Sequence, residues 1–279
     1  YEQAAKLNNP VALYNLGNLY QNGIGVQQDY LKAKGYYELS ASSNYPEALY
    51  SLGNLYLNGF GVEKNITRAI NYFELSANLN YHFALYLLAS FYNNGDLIDV
   101  NYEKSIKYLK KCIDIQNGAT FQNNLSLSVV SNKLIYSSYN DLGLIYLITF
   151  QDKEKALIYI KKAALAEHPF AQSNFGLINQ FYLNEAGNAE YMFKRSSEHK
   201  FAIAEYNIGY LKEKEGNIEQ AIDYYCSASD HINEKLVFHG LIQNDKRENI
   251  SKIFIICLTN LKKGNYTLMY MIISMHIKI

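Results

Sequence analysis

Along residues 10–22 the apolar positions Ala12, Leu16, Leu19 and Tyr20 return at the spacing that lines one side of a helix, with Leu13 and Gly17 at its margins. Asn22-Gly23 ends the run, since glycine accepts positive φ beyond a helix C-terminus without steric cost. A second run follows Asp29, a residue suited to capping a helix, and its inner side carries Ala33, Tyr36, Tyr37 and Ser40. The arrangement then repeats. PVALYNLGNLYQNGIGVQQDYLKAKGYYELSASSNY over 10–45 is followed by PEALYSLGNLYLNGFGVEKNITRAINYFELSANLNY over 46–81, with every matched pair 36 residues apart. Pro10 matches Pro46, Gly17 matches Gly53, and Ala33 matches Ala69. A fixed period of this length marks stacked units in place of a single globular core.

Looser copies follow. The third starts at His82, with Ala89 in the Gly17 column and Ser105 in the Ala33 column. Residues 118–132 have no counterpart and read as an insertion. A fourth copy places Gly143 and Ala156 in the key columns and lacks the N-G-x-G-V turn; the fifth (Gly176) and sixth (Gly209) follow at offsets of 33 residues. Helix pairs are predicted at 10–22/29–44, 46–58/65–80, 82–94/101–117, 133–149/152–167, 169–183/185–199 and 201–215/217–231, with a degenerate seventh pair over 233–263. Residues 1–9 read as the end of a preceding repeat, 10–232 as the array, and 233–279 as a degenerate repeat with a C-terminal capping segment. Because the chain does not begin with Met, it is expected to be a piece of a longer array or protein. Gly17 and Ala33 are expected to be small so that two helix backbones approach closely. Leucine at position 53 would then overpack the crossing by about 1–3 kcal/mol. Leu52→Ala would leave a cavity worth about 2–5 kcal/mol.

The string A-x-x-x-L-G-x-x-Y-x-x-G-x-G-V, followed by a helix with K-A and two aromatics, resembles the Sel-one-like repeat, a longer relative of the tetratricopeptide repeat. Its residues here are Ala12, Leu16, Gly17, Tyr20, Gly23, Gly25, Val26, Lys32-Ala33 and Tyr36-Tyr37. The second copy supplies Ala48, Leu52, Gly53, Tyr56, Gly59, Gly61, Val62, Arg68-Ala69 and Tyr72-Phe73. The resemblance implies an all-α, right-handed superhelical solenoid of antiparallel helix pairs. It also implies a non-catalytic scaffold or adaptor for other proteins. The alternatives it carries are a docking or regulatory array of a larger enzyme such as a protein kinase, and an adaptor of a ubiquitin-ligase or quality-control complex.

Composition narrows this further. With 26 basic and 26 acidic residues the formal net charge is zero, which argues against a nucleic-acid or membrane-surface binder. Cys112, Cys226 and Cys257 are far apart and follow no metal-ligand or redox spacing. The resemblance includes a secreted branch with a disulfide in each repeat, and this chain departs from it. A reducing, cytoplasmic setting is therefore favoured, with a luminal one as the alternative. Sequons begin at Asn65, Asn124, Asn249 and Asn265, as many as chance gives in so Asn-rich a chain. The apolar tail TLMYMIISMHIKI is shorter than the roughly 20 residues that span a bilayer. It is expected to cover the open end of the stack, with self-association as a second outcome.

No catalytic, metal or cofactor constellation emerges. The six histidines are scattered, and the Gly-x-Gly strings at 23–25 and 59–61 lack the strand, third glycine and lysine of a phosphate loop. A binding surface is more legible. At 100° per residue, Val11, Tyr14, Asn18 and Gln21 point away from the Leu16/Leu19 side. The same positions hold Glu47, Tyr50, Asn54 and Leu57 in the second copy, and Phe83, Tyr86, Ser90 and Asn93 in the third. In a solenoid these first helices line the concave face, roughly 10 Å apart. Columns of Tyr and Asn there suit a partner's peptide or helix. The same tyrosines equally suit packing between repeats.

Overall fold

The computed structural model describes residues 8–95, 97–119 and 128–235. Among these residues the chain is all-helical, as antiparallel pairs. The pairs are α1 (Pro10–Asn22) with α2 (Tyr30–Ala41), α3 (Pro46–Asn58) with α4 (Ile66–Asn78), and α5 (His82–Asn94) with α6 (Tyr102–Ala119). There follow α7 (Ser128–Ile148) with α8 (Lys153–Leu165), α9 (Pro169–Ile178) with α10 (Ala186–Ser197), and α11 (Ala202–Lys214) with α12 (Ile218–Lys235). Two compact units divide in the chain at Tyr159/Ile160. The expected preceding repeat at 1–9, the seventh pair and the C-terminal segment fall almost wholly outside the described residues, as do residues 120–127 of the expected insertion. Helix α7 begins at Ser128, within the stretch read as insertion.

The ends of the helices are set by local chemistry. Asn9 caps α1 through Ala12 N, and Pro10 fills the first turn, where no amide partner is needed. Asp29, Asn65, Asn101 and Asp152 occupy one repeat position and accept from the amides of Lys32, Arg68, Lys104 and Lys155 at 2.8–3.0 Å. Their own backbone amides donate to the carbonyls of Tyr20, Tyr56, Tyr92 and Tyr146 at 2.8–2.9 Å, tying the second helix to the end of the first. Glu185 and Asn217 make the same tie to Asn179 and Lys212 at 2.8 Å, so it outlasts the loss of the long turn. Between the first repeats the chain turns through a left-handed residue, Asn44 (φ 56°) and Asn80 (φ 65°), a conformation asparagine tolerates better than most.

A second clasp closes the first, second, third and fifth pairs. Ser40, Ser76 and Ser196 donate through Oγ to the carbonyls of Pro10, Pro46 and Pro169, each at 2.7 Å. Cys112 takes that place in the third pair, 3.9 Å from the His82 carbonyl. It is a buried free thiol, its pKa pushed up by burial.

The glycine column is small because a specific side chain meets it. A Cβ added to Gly17 would lie 2.4 Å from the ring of Tyr37, and one added to Gly53 would lie 2.5 Å from Phe73. Gly176 faces Phe193 at 2.5 Å and Gly209 faces Tyr225 at 2.8 Å in the same way. An aromatic ring from the second helix occupies the space over the bare backbone of the first, and at Gly209 the Ala221 carbonyl also comes within 3.2 Å of the added Cβ. The third pair holds Ala89 and Leu109 at these positions, both buried. A methyl on the first helix goes with a narrower side chain on the second.

Within each unit neighbouring pairs share buried clusters. Ala33 and Tyr37 of α2 share a buried cluster with Ala48, Leu52 and Leu55 of α3. Ala69, Phe73 and Ala77 of α4 do the same with Ala84, Leu85 and Leu88 of α5. In the second unit Ala189 and Phe193 of α10 join Ile208 and Leu211 of α11. The fifth pair departs from the expected single helix over 169–183. Helix α9 stops at Ile178 and continues as a π-helical turn, Asn179–Leu183, closed by left-handed Asn184 (φ 57°). Asn179 is buried there with its Nδ2 unpaired.

The ring-on-glycine contact makes a coupled prediction. Gly53→Ala is expected to destabilise the array by about 1–3 kcal/mol through overpacking. In Gly53→Ala/Phe73→Leu, which reproduces the third pair's solution, the loss should be smaller than the sum of the single losses. Urea unfolding followed by circular dichroism checks this, and strict additivity would show that the ring does not meet the new methyl.

Candidate functional site

The residues expected to form a face lie on α1, α3 and α5, all in the first unit. On α1, Val11 is exposed, while Tyr14, Asn18 and Gln21 are half-buried. The Tyr14 ring sits 5.9 Å from that of Tyr37 and 5.4 Å from that of Tyr45. The Tyr37 hydroxyl donates to Asn18 Oδ1 at 2.7 Å and lies 2.9 Å from Gln21 Oε1. The Asn18 amide is thus held in place by a residue whose ring is in the core.

On α3, Tyr50 lies between Phe73 and Tyr81, each ring 5.4 Å away. Leu57 packs against the buried cluster of α4 and α5. Glu47 is half-buried, and its Oε2 is covered by protein with no hydrogen-bond partner. On α5, Phe83 lies 6.4 Å from Tyr50, while Ser90 and Asn93 make contacts to Asn94.

Tyr86 differs from the other two tyrosines of its column. Its hydroxyl donates to Asp141 Oδ2 of α7 at 2.7 Å, and Asn140 donates to Asp141 Oδ1 at 3.2 Å. Burial raises the Asp141 carboxyl above its ordinary value of 3.8, and those two hydrogen bonds offset part of the rise. The structure therefore brings Tyr14, Tyr50 and the residues around them together and ties Tyr86 to the neighbouring helix.

Sequence reasoning left out Tyr45 and Tyr81, which complete the aromatic group and stand 36 residues apart at the repeat ends. A second ordered row was also missed. Lys32 lies 5.2 Å above the ring of Tyr20, which stacks on Tyr36. Arg68 repeats this with Tyr56 and Tyr72, Lys104 with Tyr92 and Tyr108, and Lys155 with Tyr146 and Tyr159. These cation–π stacks account for much of the tyrosine in the repeated columns and for the cation beside the Ala33 column.

Histidines serve locally. His168 is buried and caps α9, with its Nδ1 accepting from Ala171 N at 3.3 Å. His82 is half-buried, and burial lowers its pKa. His231 Nδ1 lies 2.9 Å from both oxygens of buried Glu205, and Ser227 donates to Glu205 Oε1 at 3.0 Å. In this trio the hydroxyl bonds the carboxylate, so the imidazole does not activate it as a nucleophile. The trio ties α11 to α12. Among the described residues no helix is long and apolar enough to cross a membrane, and no group of three or more His, Cys, Asp or Glu could hold a metal ion.

Paired helices, repeated ties and a face varied from copy to copy define a tandem helix-repeat protein. A model of the Sel1 repeat matches residues 10–45, 46–81, 82–113, 137–168 and 202–232, more than half of the chain. The chain belongs to the Sel1 repeat family. Repeats of this family are generally non-catalytic scaffolds and commonly mediate protein–protein interaction. The fifth helix pair lies outside the matched residues. Among solved structures, a Sel1 repeat protein from Oxalobacter formigenes is similar at a TM-score of 0.61 and 22% identity, over 80% of this chain and 89% of that one. A protective antigen of uropathogenic Escherichia coli with the same repeat fold gives 0.45 at 21% identity, over 93% and 63%. The immunity protein Pa5087 from Pseudomonas aeruginosa gives 0.47 at 17%, over 77% and 81%. No curated protein matches the sequence.

The raised carboxyl of Asp141 has a pH consequence. The folded chain keeps that proton at pH values where the unfolded chain has lost it. Its contribution to stability is thus greatest below the ordinary value of 3.8 and declines as pH rises towards the folded-state value. Asp141→Asn keeps an acceptor for Tyr86. It is expected to melt progressively higher, relative to wild type, as the pH rises above about 4. Thermal melts at several pH values check this; a pH-independent difference would show that Asp141 titrates as an ordinary carboxylate.

Proposed function

We propose that this chain is a non-catalytic scaffold or adaptor that holds a segment of a partner protein, a peptide or a helix, along the row formed by α1, α3 and α5. One observation carries this reading. The polar edge of that row is positioned by the core: the Tyr37 hydroxyl, on a ring buried between the helices, donates to Asn18 Oδ1 and lies beside Gln21. Groups ordered before the partner arrives lower the entropic cost of binding. The amide nitrogen of Asn18 has no hydrogen-bond partner among the described residues, and it remains available as a donor to an extended backbone.

The immobilised array should retain a specific partner that is lost in Asn18→Ala/Asn54→Ala/Phe83→Ala. Leu39→Ala/Leu75→Ala, at exposed positions on the second helices, should leave capture intact. Mass spectrometry identifies what is retained, and circular dichroism confirms that each variant keeps its helices. The reverse pattern would move the binding surface to the second helices and overturn the proposal.

A further inference from the structure

Helix α2 carries a glycine near its middle that the single chain does not use. Gly17, Gly53, Gly176 and Gly209 are each kept bare by a ring, but a Cβ added to Gly35 meets no atom within 4 Å. Gly35 is not among the glycines with positive φ, so no left-handed turn calls for it. The same repeat position holds Asn71 in α4 and Lys107 in α6. A glycine inside a helix lowers stability relative to alanine, because the unfolded chain gains backbone freedom. Nothing within the chain offsets that cost.

The missing side chain opens a groove of about 620 Å³ along α2, with Tyr20 of α1 at its border. Its lining includes Lys32, Gly35, Tyr36 and Leu39, which stand at i, i+3, i+4 and i+7. Four residues so spaced are the corners of the hole that receives a side chain from a facing helix. Gly35 and Leu39, with Glu38 and Ser42, frame the next hole along the same face. Gly35 is a corner of both and deepens both. Leu39 projects beside them, 53% exposed, and Leu75 at the same position of the second repeat is 50% exposed. The stacking of repeats therefore leaves this column uncovered. One helix face carries a projecting apolar knob and an empty hole a single turn apart.

A knob and a hole on one face are complementary to themselves. Across a two-fold axis with the helices antiparallel, the knob of each copy meets the hole of the other. The charges favour the same direction. Lys32 lies toward the start of α2 and Glu38 toward its end, so antiparallel helices set each lysine beside the other copy's glutamate. Parallel helices would set like charges together. Within one chain Lys32 is 3.8 Å from Asp29 and Glu38 is 3.1 Å from Lys34, and such exposed pairs are weak enough to be shared with a second copy.

We propose that this chain forms a two-fold homodimer through α2, with Leu39 of each copy seated over Gly35 of the other. One helix against one helix is a small contact, so the dimer is weak and depends on concentration. This surface is separate from the row of α1, α3 and α5 and does not rest on the partner reading.

Sedimentation equilibrium of the full chain over a concentration series tests the proposal, and a monomer–dimer equilibrium is expected. Gly35→Leu fills the hole and should weaken the dimer about tenfold or more, and Leu39→Ala should act in the same direction by removing the knob. Gly35→Ala separates association from folding. Its methyl meets no atom of its own chain, so the dilute monomer should melt no lower than wild type while the dimer weakens. Lys32→Glu should weaken the dimer, and Lys32→Glu/Glu38→Lys should restore it. In a Cys226→Ser/Cys257→Ser chain, Leu39→Cys should form a disulfide between copies under mild oxidation, and adding Gly35→Leu should suppress it. A chain that stays monomeric up to about 0.1 mM would overturn the proposal. So would a dimer that Gly35→Leu and Leu39→Ala leave unchanged, which would place self-association on another surface. Association and partner capture are read separately: the Leu39→Ala/Leu75→Ala chain should be monomeric and still retain its partner.

Discussion

The fold depends on an aromatic ring set against a helix that carries no side chain at that point. Tyr37 on Gly17, Phe73 on Gly53, Phe193 on Gly176 and Tyr225 on Gly209 are one contact made four times, in both units. The ring takes the space that a side chain on the first helix would otherwise occupy. All four rings are essentially inaccessible to solvent. Dense packing of this kind tolerates few changes of volume, so the two positions must change together. The third pair, with Ala89 and Leu109, is the same constraint met by another combination of sizes.

This contact also links core to surface. Tyr37 and Tyr225 extend beyond the glycine with a hydroxyl that needs a partner. The first finds Asn18 and Gln21, and the second finds Glu213 Oε2 at 2.8 Å. A polar residue near the end of the first helix is then partly a demand of the buried ring. Where the ring is Phe73 no hydroxyl needs satisfying. Equivalent positions on the row therefore differ in how firmly they are held, and the first repeat has the tightest link between interior and face.

Much of this was legible in the sequence. The 36-residue offset located the helix pairs, Gly23 and Gly59 their ends, and Asp29 its cap. The fifth pair followed from Gly176 and its spacing alone. Periodicity shows which residues are equivalent, however, and not which columns touch. The Gly17 column pointed to close helices, but its ring partner twenty residues on was not deducible from spacing. The clasp from Ser40 and Ser76 and the left-handed Asn44 and Asn80 were visible as repeated letters whose role depends on three-dimensional placement. The fate of Tyr86 lay outside the repeat grammar altogether. Its partner Asp141 lies beyond the insertion, where the offset that equates the first three copies no longer applies.

Agreement and difference between copies therefore carry separate information. Columns that agree, such as Gly17/Gly53, Ser40/Ser76 and Tyr20/Tyr56/Tyr92, are accounted for by packing, clasps and cation–π stacks inside the array. The column that changes from Val11 to Glu47 to Phe83 is less constrained: Val11 is exposed, Phe83 packs on Tyr81 and His82, and the stack accommodates an aliphatic, an acidic and an aromatic side chain there. On the proposed reading of the row, that variation is what a partner would meet. An apolar, an acidic and an aromatic position in sequence would present a partner with three different demands at nearly regular spacing. A uniform column would permit a bound segment to slide by one repeat, whereas a varied one fixes its register. The single acid is the strongest of these marks, since misplacing a charge costs more than misplacing a methyl group.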